Sequence, residues 1–182
     1  QFVYALFDAG EIRIADMSDR RKPRVRILDD IGRQPYDALI TPNGRYYLAG
    51  LFGEDGLAMV DLWAAEPVAR RILDKYGRGR EKLPVYKMPH LEGWAVAGQH
   101  VFLPAVGQHE VLVVDAVTWK EVGRIAVHGQ PVFVEAEPGG RRVWVNFAHP
   151  RNDTVQVLDA RSLQIISTLK PGKGVLHMEF AP

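Results

Sequence analysis

The feature that most constrains this chain is an internal repeat. Three segments end in an apolar run closed by aspartate: Leu57-Ala-Met-Val-Asp61, Val111-Leu-Val-Val-Asp115 and Val155-Gln-Val-Leu-Asp159. A fourth, Ile12-Arg-Ile-Ala-Asp16, lies upstream. Successive aspartates stand 45, 54 and 44 residues apart. Subtracting a polar insertion near residues 76–84 brings the middle spacing to about the same period. A Pro or Gly also opens an apolar strand at regular places, in Gln34-Pro35-Tyr36, Met88-Pro89-His90, Gln130-Pro131-Val132 and Lys173-Gly174-Val175. A repeat of about 40–45 residues carrying four short strands is a β-propeller blade.

Alternation and punctuation give the strands of one repeat. Residues 132–136 read as strand A and Pro138-Gly139-Gly140 as its turn, because Pro fixes φ and Gly supplies φ > 0. Strands B, C and D follow at 142–147, 154–159 and 164–169. No segment shows sustained helical periodicity. The fold class is therefore all-β, a β-propeller of four-stranded antiparallel blades, about four of them here. Residues 1–31 form a partial blade lacking strand A. Residues 32–86, 87–128 and 129–171 form whole blades, and 172–182 the first strand of the next. The end pieces either join to close a four-bladed ring, or the chain is a stretch of a longer propeller.

Composition limits the function. At 47% hydrophobic and 25% charged, the chain can bury a core. The net charge of +1 gives no reason to expect a nucleic-acid partner. No apolar run approaches the roughly 18 residues of a membrane helix. Cysteine is absent, which removes disulfides, thiolate metal sites, cysteine nucleophiles and covalent CxxCH haem attachment.

Antiparallel connection places the D–A and B–C loops on one rim of the blades. Four of six histidines fall there: His90 and His128 in D–A loops, His109 and His149 in B–C loops. His177 lies in a strand A, and His100 maps to the opposite rim. The same rim carries Arg33, Gln34, Tyr36, Asp37, Phe52, Glu54, Asp55, Lys87, Glu92, Trp94, Asn146, Phe147, Arg151 and Asn152. Aromatics, imidazoles, amides and a few cations suit a large, flat, partly apolar, polyanionic ligand. Trp63, Trp119 and Trp144 read as blade packing, and the strand C aspartates as turn caps.

Several chemistries are disfavoured. The three serines, Ser18, Ser162 and Ser167, map to C–D turns and a strand D, away from this rim, which argues against a Ser-His-Asp hydrolase. Gly77-Arg-Gly79 lacks the third glycine and the strand-to-helix context of a dinucleotide fingerprint. His109-Glu110 has Val113 where a zinc-binding HExxH needs its second histidine. Carboxylate and imidazole acid–base chemistry remains open, with Asp37, Asp55 or Glu92 as candidates.

Five motifs in order carry a resemblance: Gly32-Arg-Gln-Pro-Tyr-Asp37, Gly50-Leu-Phe-Gly-Glu-Asp-Gly-Leu57, Tyr86-Lys-Met-Pro-His-Leu-Glu-Gly-Trp94, Gly129-Gln-Pro-Val-Phe133 and Val145-Asn-Phe-Ala-His-Pro150. Together they resemble the heme d1 biosynthesis branch of the cytochrome cd1 d1-domain-like propeller family. The resemblance implies an eight-bladed d1-type propeller of about twice this length. It implies non-covalent binding of heme d1 or a d1-type precursor and a periplasmic setting, with a membrane anchor outside this segment. It further implies partners among other heme d1 maturation proteins or nitrite reductase. A natural chain of about this length would instead require a four-bladed ring or a homodimer, two copies pairing into eight blades. His90 resembles a distal heme histidine of the nitrite reductase and would face the iron, or a ring substituent, as metal-site and catalytic candidate. Asp37 and Glu92 would supply acid–base chemistry. Arg33, Lys87 and Arg151 would pair with ring carboxylates, with Tyr36, Trp94 and His149 lining the ligand. The second distal histidine of the nitrite reductase follows a proline; here Val132 follows Pro131, which argues against a nitrite reductase centre.

Overall fold

The computed structural model describes residues 1–75, 77, 79–80 and 94–181. These form fifteen strands in four antiparallel sheets, each a simple meander. Two compact units divide the chain, Gln1–Tyr76 and Gly77–Pro182.

The first unit holds two sheets. β1 (Phe2–Leu6), β2 (Glu11–Asp16) and β3 (Arg24–Leu28) form a three-stranded sheet. β4 (Pro35–Ile40), β5 (Tyr46–Leu51), β6 (Leu57–Asp61) and β7 (Ala69–Ile72) form a four-stranded one. Their facing surfaces share a core of Ile12, Ile14, Ile31, Tyr47, Ala49, Ala58 and Val60. The second unit repeats the plan. β8 (Ala95–Ala97), β9 (His100–Ala105), β10 (Glu110–Asp115) and β11 (Glu121–Ala126) make one sheet; β12 (Pro131–Ala136), β13 (Arg142–Phe147), β14 (Val155–Asp159) and β15 (Gln164–Leu169) make the other. Phe102, Val111, Val113, Val134, Val143, Val145, Phe147 and Leu158 fill the space between them.

The burial gradient explains the sequence pattern. In β6, β10 and β14 four consecutive residues are buried, so both faces of the strand are covered and the sequence reads as a continuous apolar run. The outer strands β3 and β15 are mostly exposed and carry polar residues among their apolar ones. Each strand C aspartate closes its turn by accepting a backbone N–H two residues on: Ser18 to Asp16 (2.9 Å), Trp63 to Asp61 (3.0 Å), Val117 to Asp115 (3.1 Å) and Arg161 to Asp159 (3.1 Å).

Two expectations change. Trp63 is not blade packing: the residue is 65% exposed on the β6–β7 turn, with the Arg45 guanidinium 5.6 Å from its ring centroid. Residues 175–180 carry no strand, because a strand requires a ladder partner and no described strand pairs with them.

Candidate functional site

In the first unit the rim is built from three loops. Pro35 starts β4 with a fixed φ, and Gln34 turns the chain into it at φ 52°. The β3–β4 and β5–β6 loops are joined by Phe52 N–H donating to Gln34 O (2.9 Å) and Gly53 N–H to Arg33 O (3.2 Å). A Cβ on Gly53 would lie 2.8 Å from Arg33 Cβ, so the Arg33 stem lies directly on this backbone. The β1–β2 turn closes against the same place, where a Cβ on Gly10 would stand 2.9 Å from Gly32 O.

This convergence gathers Phe7, Tyr36 and Phe52. Their ring centroids are 6.2 Å (Phe7–Tyr36), 6.3 Å (Phe7–Phe52) and 6.4 Å (Tyr36–Phe52) apart, within the range of mutually attractive aromatic pairs. All three remain partly exposed.

Beside them lies a charged knot centred on Glu54. Its Oε1 accepts Arg33 N–H (2.9 Å) and Arg71 Nη1 (2.9 Å), and its Oε2 lies 3.5 Å from Arg33 Nε. Arg71 Nη2 also donates to Asp55 O (2.7 Å). The Arg33 backbone N–H, then the positive charges of Arg71 and Arg33, hold the Glu54 carboxyl below its usual value, against an opposing effect of partial burial. The Arg33 side chain is 73% exposed. Gly32 is required at this point. Its φ is 120°, and a Cβ there would meet Leu51 Cδ1 at 2.6 Å and Glu54 Oε1 at 2.7 Å.

The second unit builds the corresponding corner differently. Ala148 N–H donates to Gln130 O (2.9 Å), matching the Phe52–Gln34 bond. Buried Asn146 accepts Phe133 N–H (2.9 Å), and buried Gln156 accepts His128 N–H (2.9 Å). Arg151 donates to the His128 carbonyl, and its side chain covers Gly129. The His128 ring stands edge-on to Phe147 at 5.6 Å. Asp153 is held below the usual carboxylate range, first by the Thr154 hydroxyl and then by the charges of Lys170 and His128. His109 adopts a left-handed conformation (φ 55°), and its carbonyl takes Val127 N–H (2.9 Å). His149 is exposed on the β13–β14 loop, and the His177 ring lies 4.4 Å from that of Phe133.

Residues 1–182 match the cytochrome D1 heme domain family over their whole length. The chain belongs to that family. It is 60% identical over 181 residues to Protein NirF of Pseudomonas aeruginosa and 59% identical over 180 residues to Protein NirF of Stutzerimonas stutzeri. The matches cover 100% and 99% of this chain and 46% of each relative, so the chain spans about half the length of these curated relatives. Among solved structures, the dihydro-heme d1 dehydrogenase NirN superposes with a TM-score of 0.69 at 20% identity, over 95% of this chain and 35% of that one. This superposition supports the propeller-type fold.

Against the sequence-derived site, the structure brings Arg33 and Tyr36 together at the first corner. Trp94 is buried, with 9% of its surface exposed, and so offers a ligand little of its ring. Arg151 is engaged with the backbone around His128. His149 is accessible. His90, Lys87 and Glu92 lie outside the described residues, as does the Asp37 side chain. Sequence reasoning missed Phe7. Locally it reads as the end of the strand that starts at Phe2, and only its position opening the Phe7-Asp-Ala-Gly10 turn marks it as a rim residue.

Proposed function

We propose that this chain forms part of a heme d1 biosynthesis propeller that binds heme d1 or a d1-type precursor non-covalently at the rim carrying the D–A and B–C loops. The observation that carries the reading is the Phe7–Tyr36–Phe52 cluster with Arg33 beside it. Partly exposed rings offer a flat apolar surface, and a guanidinium fork matches a carboxylate. A d1-type macrocycle combines a flat conjugated ring with peripheral carboxylates. Family membership and the identity to NirF support the same ligand class. When bound, the macrocycle would supply the iron and the reacting side chains. The residues in hand would orient it: the aromatic cluster against a ring face and Arg33 at a carboxylate.

The rest of a longer chain would complete the ring to eight blades. The periplasm is the proposed location. The proposed role is conversion of a precursor side chain, with His90 and the carboxyls of Asp37 and Glu92 as candidates, in contact with other maturation proteins.

Titrating the full-length protein with heme d1 and following its visible absorption tests binding. A saturable spectral shift, lost in a Tyr36→Ala/Phe52→Ala variant, is expected; a spectrum identical to that of the free ligand overturns the reading. Mass analysis after incubation with the precursor separates conversion from carriage. A mass change that disappears in Asp37→Asn or Glu92→Gln supports conversion, and tight binding with unchanged mass makes the protein a carrier.

A further inference from the structure

We infer that Glu54 is a positioning residue, which orients the Arg33 guanidinium as the carboxylate-recognition element beside the Phe7–Tyr36–Phe52 cluster. The inference rests on the tetrapyrrole reading above and specifies how that site would select its ligand. An unrestrained surface arginine samples many rotamers and loses that freedom on binding. Here the freedom is already restricted. Glu54 takes the Arg33 backbone N–H at 2.9 Å and faces Nε at 3.5 Å, so one carboxylate holds both the root and the near edge of the residue.

Glu54 is itself fixed. Arg71 Nη1 donates to the same Oε1, while Nη2 is anchored on Asp55 O. Gly32 and Gly53 let the two loops close around this knot, since a Cβ on either would meet Glu54 or Arg33 atoms at 2.7–2.8 Å. The Arg33 N–H and Arg71 thus converge on the Glu54 carboxylate, which faces the exposed Arg33 side chain. Among the described residues, the terminal Nη1 and Nη2 of Arg33 donate to no protein acceptor. With the Nε edge turned to Glu54, the fork's outer pair of N–H groups is the pair that would take a ligand carboxylate bidentately. The Arg33 stem lies on Gly53, the neighbour of Phe52, so the residue is rooted beside the aromatic cluster.

The probes are iron(III) mesoporphyrin IX and its dimethyl ester, titrated into the full-length protein. Glu54→Gln keeps the shape and the acceptor for the Arg33 N–H but removes the charge facing Nε. It should weaken the free-acid porphyrin about three- to tenfold, the scale of a charge-assisted contact made less well, and leave the ester unchanged. Arg33→Gln should show the same acid-selective loss, and in that background Glu54→Gln should add nothing, because it acts through Arg33. Equal weakening of acid and ester, no weakening of either, or additive losses in the double variant would overturn the positioning role. If Glu54→Gln does not fold, Arg33→Gln alone decides: without an acid-selective loss, Arg33 is not the recognition element. If the unmodified protein binds neither porphyrin, the tetrapyrrole reading itself fails.

Discussion

The Gln34-Pro35 and Gln130-Pro131 corners share one backbone frame and differ in what fastens it. In both, the glutamine carbonyl accepts an N–H from the B–C loop at 2.9 Å. In both, proline opens strand A opposite the last residue of strand B (Leu51, Phe147), and the register then shifts before pairing resumes. The second corner is closed by buried neutral amides, Asn146 and Gln156. The first is closed by ion pairs at the surface, with Glu54 between Arg33 and Arg71. Phe133 at the second corner is sealed inside, whereas Tyr36 and Phe52 at the first stay partly open. A repeated frame can therefore serve rigidity in one blade and present groups to a ligand in another.

The largest effect should come from the glycine that permits the charged knot. Gly32→Ala places a Cβ on a backbone whose φ of 120° suits only glycine, at a point where the Leu51, Glu54 and Arg71 side chains already crowd it. It should cost about 2–3 kcal/mol in chemical denaturation. Gly129→Ala, beside the second corner, meets only the flexible Arg151 side chain and carries no positive φ. It should cost less than about 1 kcal/mol. Equal costs would mean that the two corners are fastened alike.

Next in size is the loss of a buried amide. Asn146→Ala leaves the Phe133 N–H without its acceptor and should cost about 1–3 kcal/mol. The expected signature is faster hydrogen exchange at Phe133, with the amides of Phe52 and Gly53 unchanged.

The smallest effect concerns acid. The folded Glu54 carboxyl titrates below its ordinary value of 4.5. Its contribution is thus fully present above that value and is lost as pH falls through the lower folded value. Part exposure keeps the contribution small. Between pH 7 and pH 3.5, once corrected for intrinsic rates, protection of the Phe52 and Gly53 amides should fall, and that of Phe133, which relies on an amide acceptor, should hold. Parallel loss at both corners would place the acid-sensitive step elsewhere, for instance in the strand C aspartates, whose carboxyls are likewise held low by turn N–H groups.

Much of the fold was legible because its signals are local. β13 and β15 begin and end on the residues read from alternation, and β12 and β14 differ by one residue. Alternation, turn glycines and the closing aspartates act within a few residues of chain. The site was legible only in part. Tyr36 and Arg33 stood out because they flank a repeated Gln-Pro mark, but Phe7 reads locally as the end of a strand. Arg151 looked like a ligand cation, yet its donor is directed to a carbonyl 23 residues earlier. Trp63 looked like packing, yet its turn projects it into solvent.

By itself, the sequence determined the blade repeat, the strand positions, the turn chemistry and the set of residues available to the rim. These follow from near-neighbour sterics and from the burial of both faces of each inner strand. Only the tertiary structure decided which rim residues meet. It joined Phe7 to Tyr36 and Phe52, bound Glu54 to two arginines, and committed Asn146 and Gln156 to the backbone. Those choices depend on how loops from separate sheets and distant strands close on one another, and side-chain contacts of that range leave no periodic trace in the chain.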